Sequence, residues 1–168
     1  MYKLYKLKVK KGVDDNLIIF AKPRVGYRKD GKFLEGICLA HIRGRKGTSP
    51  KGTSIGDNYP LGYHTKCWGT QQFELLSEEE SLTLKSDKNI FEINGDICIR
   101  VKGNKNPRGR GKSERGIWQI YKDGEIEFYP YRSTDPDDPR YGICEKRFSD
   151  RWTPIKEFKI KNKKPLDA

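Results

Sequence analysis

Apolar and polar residues alternate over several short stretches of this chain, and a period of two predicts β-strands. In residues 2–11, apolar residues at Tyr5, Leu7 and Val9 alternate with lysines. This pattern is typical of a strand with one face buried and a lysine-rich face in solvent. Similar apolar patterns predict strands or paired strands at 17–21, 27–42, 73–76, 90–101, 117–131 and 158–160.

Three of these stretches each contain an Asp-Gly or Asn-Gly dipeptide, at a position where a tight turn is expected. The dipeptides are Asp30-Gly31, Asn94-Gly95 and Asp123-Gly124. Asn-Gly and Asp-Gly favour the turns that join neighbouring antiparallel strands. One helix signal stands against this pattern, because Ser77 and Glu80 have capping-box spacing, which predicts a short helix before residue 87. We therefore expect a mainly β protein whose antiparallel hairpins form a sheet, barrel or sandwich, with at most one or two short helices.

The length of 168 residues suits a single domain that covers residues 1–168. Leu, Ile, Val and Phe contribute only 37 residues, so we expect a thin core. Residues 43–58 are rich in Gly, Ser, Thr, Pro and Lys, and they are interpreted as a flexible basic loop. Residues 161–168 are interpreted as a lysine-rich tail.

Positive charge is concentrated in two parts of the chain. The protein has 35 Lys and Arg against 23 Asp and Glu, a net charge of +12. Residues 22–51 carry a surplus of seven positive charges and residues 102–115 a surplus of five, which together equal the net charge. Such a field attracts polyanions and accelerates their encounter with the protein.

Each basic stretch contains an Arg-Gly-Arg sequence, at residues 43–45 and 108–110. Guanidinium groups bind phosphate through two parallel hydrogen bonds, and glycine lets the backbone come close to a phosphate. We therefore expect a nucleic-acid-binding protein, with DNA and RNA both open as partners. The expected contacts are phosphate binding by Arg43, Arg45, Lys46, Lys51, Lys105, Arg108, Arg110, Lys112 and Arg115, and base stacking by Trp68 and Tyr129.

A small nuclease is the first alternative, and two sets of residues favour it. His64 is interpreted as a polar-loop histidine that shuttles protons in a metal-independent ribonuclease. Glu157 and Lys159 match the Glu-x-Lys pattern of metal-dependent endonucleases, in which carboxylates hold Mg²⁺. Without such activity no cofactor is expected, and no residue is assigned as a metal ligand. A scaffold protein that docks acidic protein partners through its basic loops is the second alternative.

Other classes of site are disfavoured by spacing. Cys38, Cys67, Cys98 and Cys144 include no Cys-x-x-Cys pair, which disfavours a zinc site and predicts buried free thiols. Residues 106–113 end in the Gly-Lys-Ser of a phosphate-binding loop, but Asn106 replaces its first glycine and a strand is predicted to follow.

No apolar run approaches the roughly 18 residues of a membrane span, so no membrane partner is expected. The first residues lack the apolar segment of a secretory signal, which favours a cytoplasmic location. The oligomeric state is left open.

Overall fold

In the computed structural model the described residues are 1–8, 16–26, 31–42, 61–85, 90–101, 116–130 and 153–162. They contain twelve β-strands and one 3-10 helix of three residues. The expectation of a mainly β, antiparallel protein with at most short helices is therefore confirmed. Across these ranges no helix has the length and apolar character needed to cross a membrane.

The chain divides into two compact units. Unit 1 consists of residues 1–82 and 159–168, and unit 2 consists of residues 83–158. Unit 2 is thus inserted into the sequence of unit 1. That the whole chain folds as one domain stays a prediction.

Unit 1 contains a five-stranded antiparallel sheet. Its strands follow in the order β4-β3-β2-β1-β5, and the 3-10 helix Thr70–Gln72 precedes the last of them in the chain. The strand bounds are β1 Lys3–Leu7, β2 Asn16–Val25, β3 Lys32–Ile42, β4 His64–Trp68 and β5 Phe73–Leu75.

Both faces of the unit 1 sheet bury apolar side chains. One face carries the core cluster Leu7, Leu17, Ile19, Ala21, Leu34, Cys38, Cys67 and Phe73. The other face buries Leu4, Phe20 and Ile37. The sequence pattern predicted that the side of β1 bearing Lys6 is a lysine-rich face in solvent. Leu4 is fully buried on this side, so that expectation is corrected. Removing this apolar area from water is the main force that holds the sheet together.

The predicted helix after residue 77 is wrong, because a turn and a strand occupy this segment. The Glu80 N–H donates to Ser77 O (3.2 Å) and to Ser77 Oγ (3.3 Å), so the capping contact forms over a single turn. The chain then extends into β6, Ser81–Lys85. Leu84 is buried in this strand and Leu82 is half-buried, so apolar alternation and strand pairing override the local helix signal.

Unit 2 contains a second antiparallel five-stranded sheet, in the order β10-β9-β8-β7-β11. The predicted turn between its first two strands is confirmed, because Asn94 (φ 50°) and Gly95 (φ 84°) both have the positive φ of a type I′ turn. The strand bounds are β7 Ile90–Ile93, β8 Asp96–Val101, β9 Gly116–Ile120, β10 Ile126–Pro130 and β11 Thr153–Pro154.

The core of unit 2 is a small cluster of Phe91, Ile93, Cys98 and Ile117, against which Tyr129 packs. The opposite face of the sheet buries Ile90, Ile99, Val101 and Ile120. Cys38, Cys67 and Cys98 are buried free thiols, as predicted, and Cys144 lies outside the described residues.

The last strand, β12 Glu157–Lys161, pairs with β6 in a two-stranded sheet. The next residue, Asn162, falls in the segment interpreted as a tail, yet its side chain is buried. It accepts a hydrogen bond from Leu4 N–H (2.7 Å) and donates one to Leu76 O (2.8 Å). Asn162 therefore anchors the end of β12 to unit 1.

Candidate functional site

Charged side chains form a row across three neighbouring strands of unit 1. Lys22 on β2 lies directly opposite Glu35 on β3, and Glu35 lies directly opposite Lys66 on β4. Directly opposed residues of antiparallel strands have their side chains on the same face of the sheet. The three side chains therefore share one face.

Glu35 is the centre of a polar group that we call the Glu35 cluster, comprising Arg24, Glu35, His64 and Lys66. Its Oε1 lies 3.7 Å from Arg24 Nε and 3.8 Å from His64 Nε2, and its Oε2 lies 3.8 Å from Lys66 Nζ. The Glu35 side chain is 21% exposed, against 44% for Arg24, 44% for His64 and 58% for Lys66. Solvent, and any ligand in it, therefore reaches the three nitrogen groups more readily than the carboxylate.

The alternation of β3 holds Glu35 in place. Leu34 and Cys38 point into the core cluster of unit 1, which turns Glu35 and Ile37 toward the other face. Ile37 is fully buried, and Gly36 lies where a Cβ would collide with Phe20 O on β2. The backbone beneath the cluster is therefore tightly packed.

Burial lowers the pKa of His64 below its usual value, because partial desolvation disfavours the imidazolium. Glu35 opposes this shift by its negative charge, whereas the ammonium group of Lys66 adds to it. His64 is therefore mainly neutral near pH 7 and gains its proton in acid. Exposed ion pairs such as these contribute only about 0–1 kcal/mol to stability. Stabilisation of the fold therefore does not by itself explain why these residues lie together.

The described strands of the two sheets differ in charge. Strands β1 to β5 of unit 1 carry six Lys and Arg residues against the carboxylates of Glu35 and Glu74. Strands β7 to β11 of unit 2 carry only Arg100 as a base, against Glu92, Asp96 and Glu127. The six basic residues of the unit 1 strands are Lys3, Lys6, Lys22, Arg24, Lys32 and Lys66.

Aromatic rings lie beside this charged surface. Lys22 Nζ lies 5.0 Å from the centroid of the Tyr2 ring, which is within range of a cation–π contact. The Tyr2 ring in turn contacts Phe20 at 5.9 Å between centroids. The half-buried Phe33 is opposite Arg24 on β2 and opposite Trp68 on β4.

Most of the residues predicted to bind phosphate lie outside the described ranges, and their roles stay predictions. Residues 43–60 join β3 to β4 in the chain, and residues 102–115 join β8 to β9. Of Trp68 only the backbone is described, on β4. The residues concerned are Arg43, Arg45, Lys46, Lys51, Lys105, Arg108, Arg110, Lys112 and Arg115.

Tyr129 lies on β10 in a polar group of its own. Its hydroxyl donates to Glu127 Oε2 (2.8 Å) and lies 2.7 Å from the hydroxyl of Tyr121. The Tyr121 hydroxyl also donates to Glu127 Oε2 (2.7 Å). Burial and these two hydrogen-bond partners raise the pKa of Tyr121. The Tyr129 ring packs against the core of unit 2, and its role in base stacking stays a prediction.

The residues predicted for a nuclease lie on two different strands, His64 on β4 and the other two on β12. Glu157 and Lys159 are both exposed on β12, two residues apart and so on one side of that strand. Within the part of the chain that is described, no group of three or more His, Cys, Asp or Glu is arranged to hold a metal ion. His64 begins strand β4, so its interpretation as a loop residue is corrected.

Of the four residues of the cluster, the sequence pattern assigned only His64 and left unassigned Arg24, Lys66 and the central residue, Glu35. A signal for it exists, since Phe33, Glu35 and Ile37 alternate along β3 and a carboxylate interrupts an apolar face. Its neighbours His64 and Lys66 follow about thirty residues later, and only the register of β3 with β4 brings them together.

Comparison of the chain with protein-family models, curated proteins and solved structures finds no match.

Proposed function

We propose that this protein binds nucleic acid and that the Glu35-bearing face of the unit 1 sheet contacts the phosphate backbone. The observation that carries the proposal is the charge of this face, on which strand register places Lys6, Lys22, Arg24 and Lys66 against the carboxylates of Glu35 and Glu74. Phosphate contacts by Lys and Arg supply most of the non-specific affinity for nucleic acids, because they release condensed counterions.

The contacts around Glu35 leave its basic neighbours able to turn to a phosphate. The three distances to the carboxylate, 3.7 to 3.8 Å, exceed the length of a charge-assisted hydrogen bond. Arg24 and Lys66 are also the more exposed partners in their pairs. Arg24 and Lys66 can therefore exchange their weak, solvent-exposed contacts with the Glu35 carboxylate for contacts with a phosphate at a small cost in free energy.

Two further features of the chain support this partner. The first Arg-Gly-Arg sequence lies in the segment that joins β3 to β4, the strands that carry Glu35 and Lys66. The rings of Tyr2 and Phe33 lie at the same surface, and aromatic rings in single-strand binders stack on bases of any sequence. Charge and rings together favour nucleic acid over an acidic protein.

A charge-reversal experiment tests the proposed surface. Binding of fluorescent single-stranded DNA and RNA is measured by anisotropy for the Arg24→Glu/Lys66→Glu variant and for a matched control, Lys122→Glu/Lys156→Glu. Both control residues are exposed and belong to unit 2, and both double variants change the net charge by the same amount. We expect the first variant to bind at least about tenfold more weakly, or ~1.4 kcal/mol, and the control to bind nearly as the wild type does.

Equal losses in the two double variants would show that net charge alone matters, and would refute the assigned surface. Wild-type protein that binds neither DNA nor RNA at low salt would refute nucleic-acid binding itself. Arg43→Ala/Arg45→Ala and Arg108→Ala/Arg110→Ala extend the experiment to the two Arg-Gly-Arg sequences, for which weaker binding is also expected.

A further inference from the structure

The Glu35 cluster combines a carboxylate, an imidazole and two fixed positive charges at one accessible point of the sheet. Glu35 Oε1 and His64 Nε2 are 3.8 Å apart, and Arg24 and Lys66 contact the same carboxylate. Breaking a phosphodiester bond without a metal ion requires a base that takes a proton from the attacking oxygen and an acid that gives a proton to the leaving oxygen. It also requires cations beside the phosphorus. The cluster contains a group for each requirement.

We propose that the Glu35 cluster cleaves RNA by metal-independent transesterification, an activity that rests on the nucleic-acid binding proposed above. Glu35 is the general base and His64 is the general acid. Arg24 and Lys66 stabilise the negative charge that develops on the non-bridging phosphate oxygens.

The reaction balances within the substrate and these two side chains. The Glu35 carboxylate takes the proton of a ribose 2′-hydroxyl as the 2′-oxygen attacks the adjacent phosphorus. The bond from phosphorus to the 5′-oxygen of the next nucleotide breaks, and the His64 imidazolium gives its proton to that leaving oxygen. The products are a 2′,3′-cyclic phosphate and a 5′-hydroxyl end. Glu35 has then gained one proton and His64 has lost one, and exchange with water restores both.

This chemistry selects RNA, because the nucleophile is the 2′-hydroxyl that DNA lacks. The attacking and leaving oxygens lie on opposite sides of the same phosphorus, so the base and the acid must both reach one phosphate. Side chains on neighbouring positions of β3 and β4 satisfy this condition, since His64 is opposite Ile37, two residues from Glu35. Glu35 Oε1 and His64 Nε2, now 3.8 Å apart, must move apart to receive a phosphate between them, and the His64 side chain, which is 44% exposed, has solvent into which it can turn.

The proton requirements set the pH dependence. The charged groups that face His64 are Glu35 on β3 and Lys66 on β4, and Arg24 on β2 reaches the same carboxylate. Burial lowers the pKa of His64, so its imidazolium form is depleted as the pH rises toward neutrality. Since the reaction needs this form, kcat/KM falls as the pH rises through the lowered pKa of His64.

The activity is measured on a fluorescent single-stranded RNA in the presence of EDTA, with the same sequence as DNA and as 2′-O-methyl RNA for comparison. We expect cleavage of the unmodified RNA alone, with 2′,3′-cyclic phosphate and 5′-hydroxyl ends. His64→Ala and Glu35→Gln are each expected to lose about 10²-fold or more of kcat/KM. His41→Ala, at the other histidine of the chain, is the matched control and retains the wild-type rate.

Binding of the DNA oligonucleotide is measured on the same samples, so that the two proposals fail separately. Glu35→Gln removes a negative charge from a basic surface, so this variant binds DNA at least as tightly as the wild type while it loses cleavage. Wild-type protein that binds RNA without cleaving it overturns the ribonuclease and leaves the binding proposal intact. Undiminished cleavage by His64→Ala and Glu35→Gln also overturns it, and absence of all binding overturns both proposals.

Discussion

At the scale of single residues, Asn162 joins two segments that are distant in the sequence. Its Oδ1 accepts from Leu4 N–H, and its Nδ2 donates to Leu76 O (2.8 Å) and Leu4 O (3.4 Å). Leu4 is fully buried, so its N–H depends on Asn162 rather than on water. A buried polar group without its partner costs about 1–3 kcal/mol.

We therefore predict that Asn162→Ala lowers the free energy of unfolding by about 2–3 kcal/mol, because it removes three hydrogen bonds and leaves Leu4 N–H unsatisfied. Urea denaturation followed by tryptophan fluorescence measures the loss. Lys161→Ala, at the exposed neighbouring residue, is the control and should stay within about 0.5 kcal/mol of the wild type. Equal stability of the two variants would mean that Asn162 does not anchor β12.

Residue-scale prediction from the sequence reached only part of the candidate site. His64 was singled out because histidine is scarce and suited to proton transfer, a property of the residue itself. Glu35 was not, because one glutamate among many acquires a special role only through neighbours supplied by other strands. Those neighbours are fixed by strand register, which depends on contacts across the whole sheet.

At the scale of elements, β2 and β3 approach each other closely at Gly36. A Cβ placed on Gly36 would collide with Phe20 O and lie 2.5 Å from Ala21 Cα, both of them backbone atoms of β2. Backbone atoms of a central strand cannot move aside as a flexible side chain can. Glycine at this position therefore lets the two longest strands of unit 1 pair.

We predict that Gly36→Ala destabilises the protein by about 3 kcal/mol, at the upper end of the range for overpacking. Thermal denaturation followed by circular dichroism measures the effect. Val25→Ala serves as the control, because Val25 lies on the same pair of strands but is 84% exposed, so its stability change should be within about 0.5 kcal/mol. A Gly36→Ala variant as stable as the control would contradict the close approach of β2 and β3.

Elements joined by tight turns were the ones that the sequence predicted well. The hairpin around Asn94 and Gly95 follows from a dipeptide signal that acts within four residues, and the structure has the expected positive φ angles. Strand β6 was missed because the equally local Ser77–Glu80 signal favoured a helix, whereas its pairing partner β12 is more than seventy residues away. Strand β11 has only two residues, too few for any periodicity.

At the scale of the whole molecule, ten of the twelve described strands form two five-stranded sheets of unlike charge. The sequence predicted strands and hairpins but not this division, because unit 1 is completed by residues 159–168 after the whole of unit 2. The basic stretches at 22–51 and 102–115 belong one to each unit. Among the described strands, however, the positive excess is confined to unit 1, where Lys22, Arg24 and Lys66 lie on the face that bears Glu35.

The salt dependence of binding tests the central claim, that this basic sheet face neutralises nucleic-acid phosphates. The dissociation constant for single-stranded DNA is measured by anisotropy between about 50 and 200 mM salt. Four phosphate contacts, at about 0.7 each for a single strand, predict that the logarithm of the association constant falls with log [salt] with a slope of about −3, and the Arg24→Glu/Lys66→Glu variant should have a slope about 1.4 units shallower. An affinity that does not change with salt, or an equal slope for the wild type and this variant, would contradict the account.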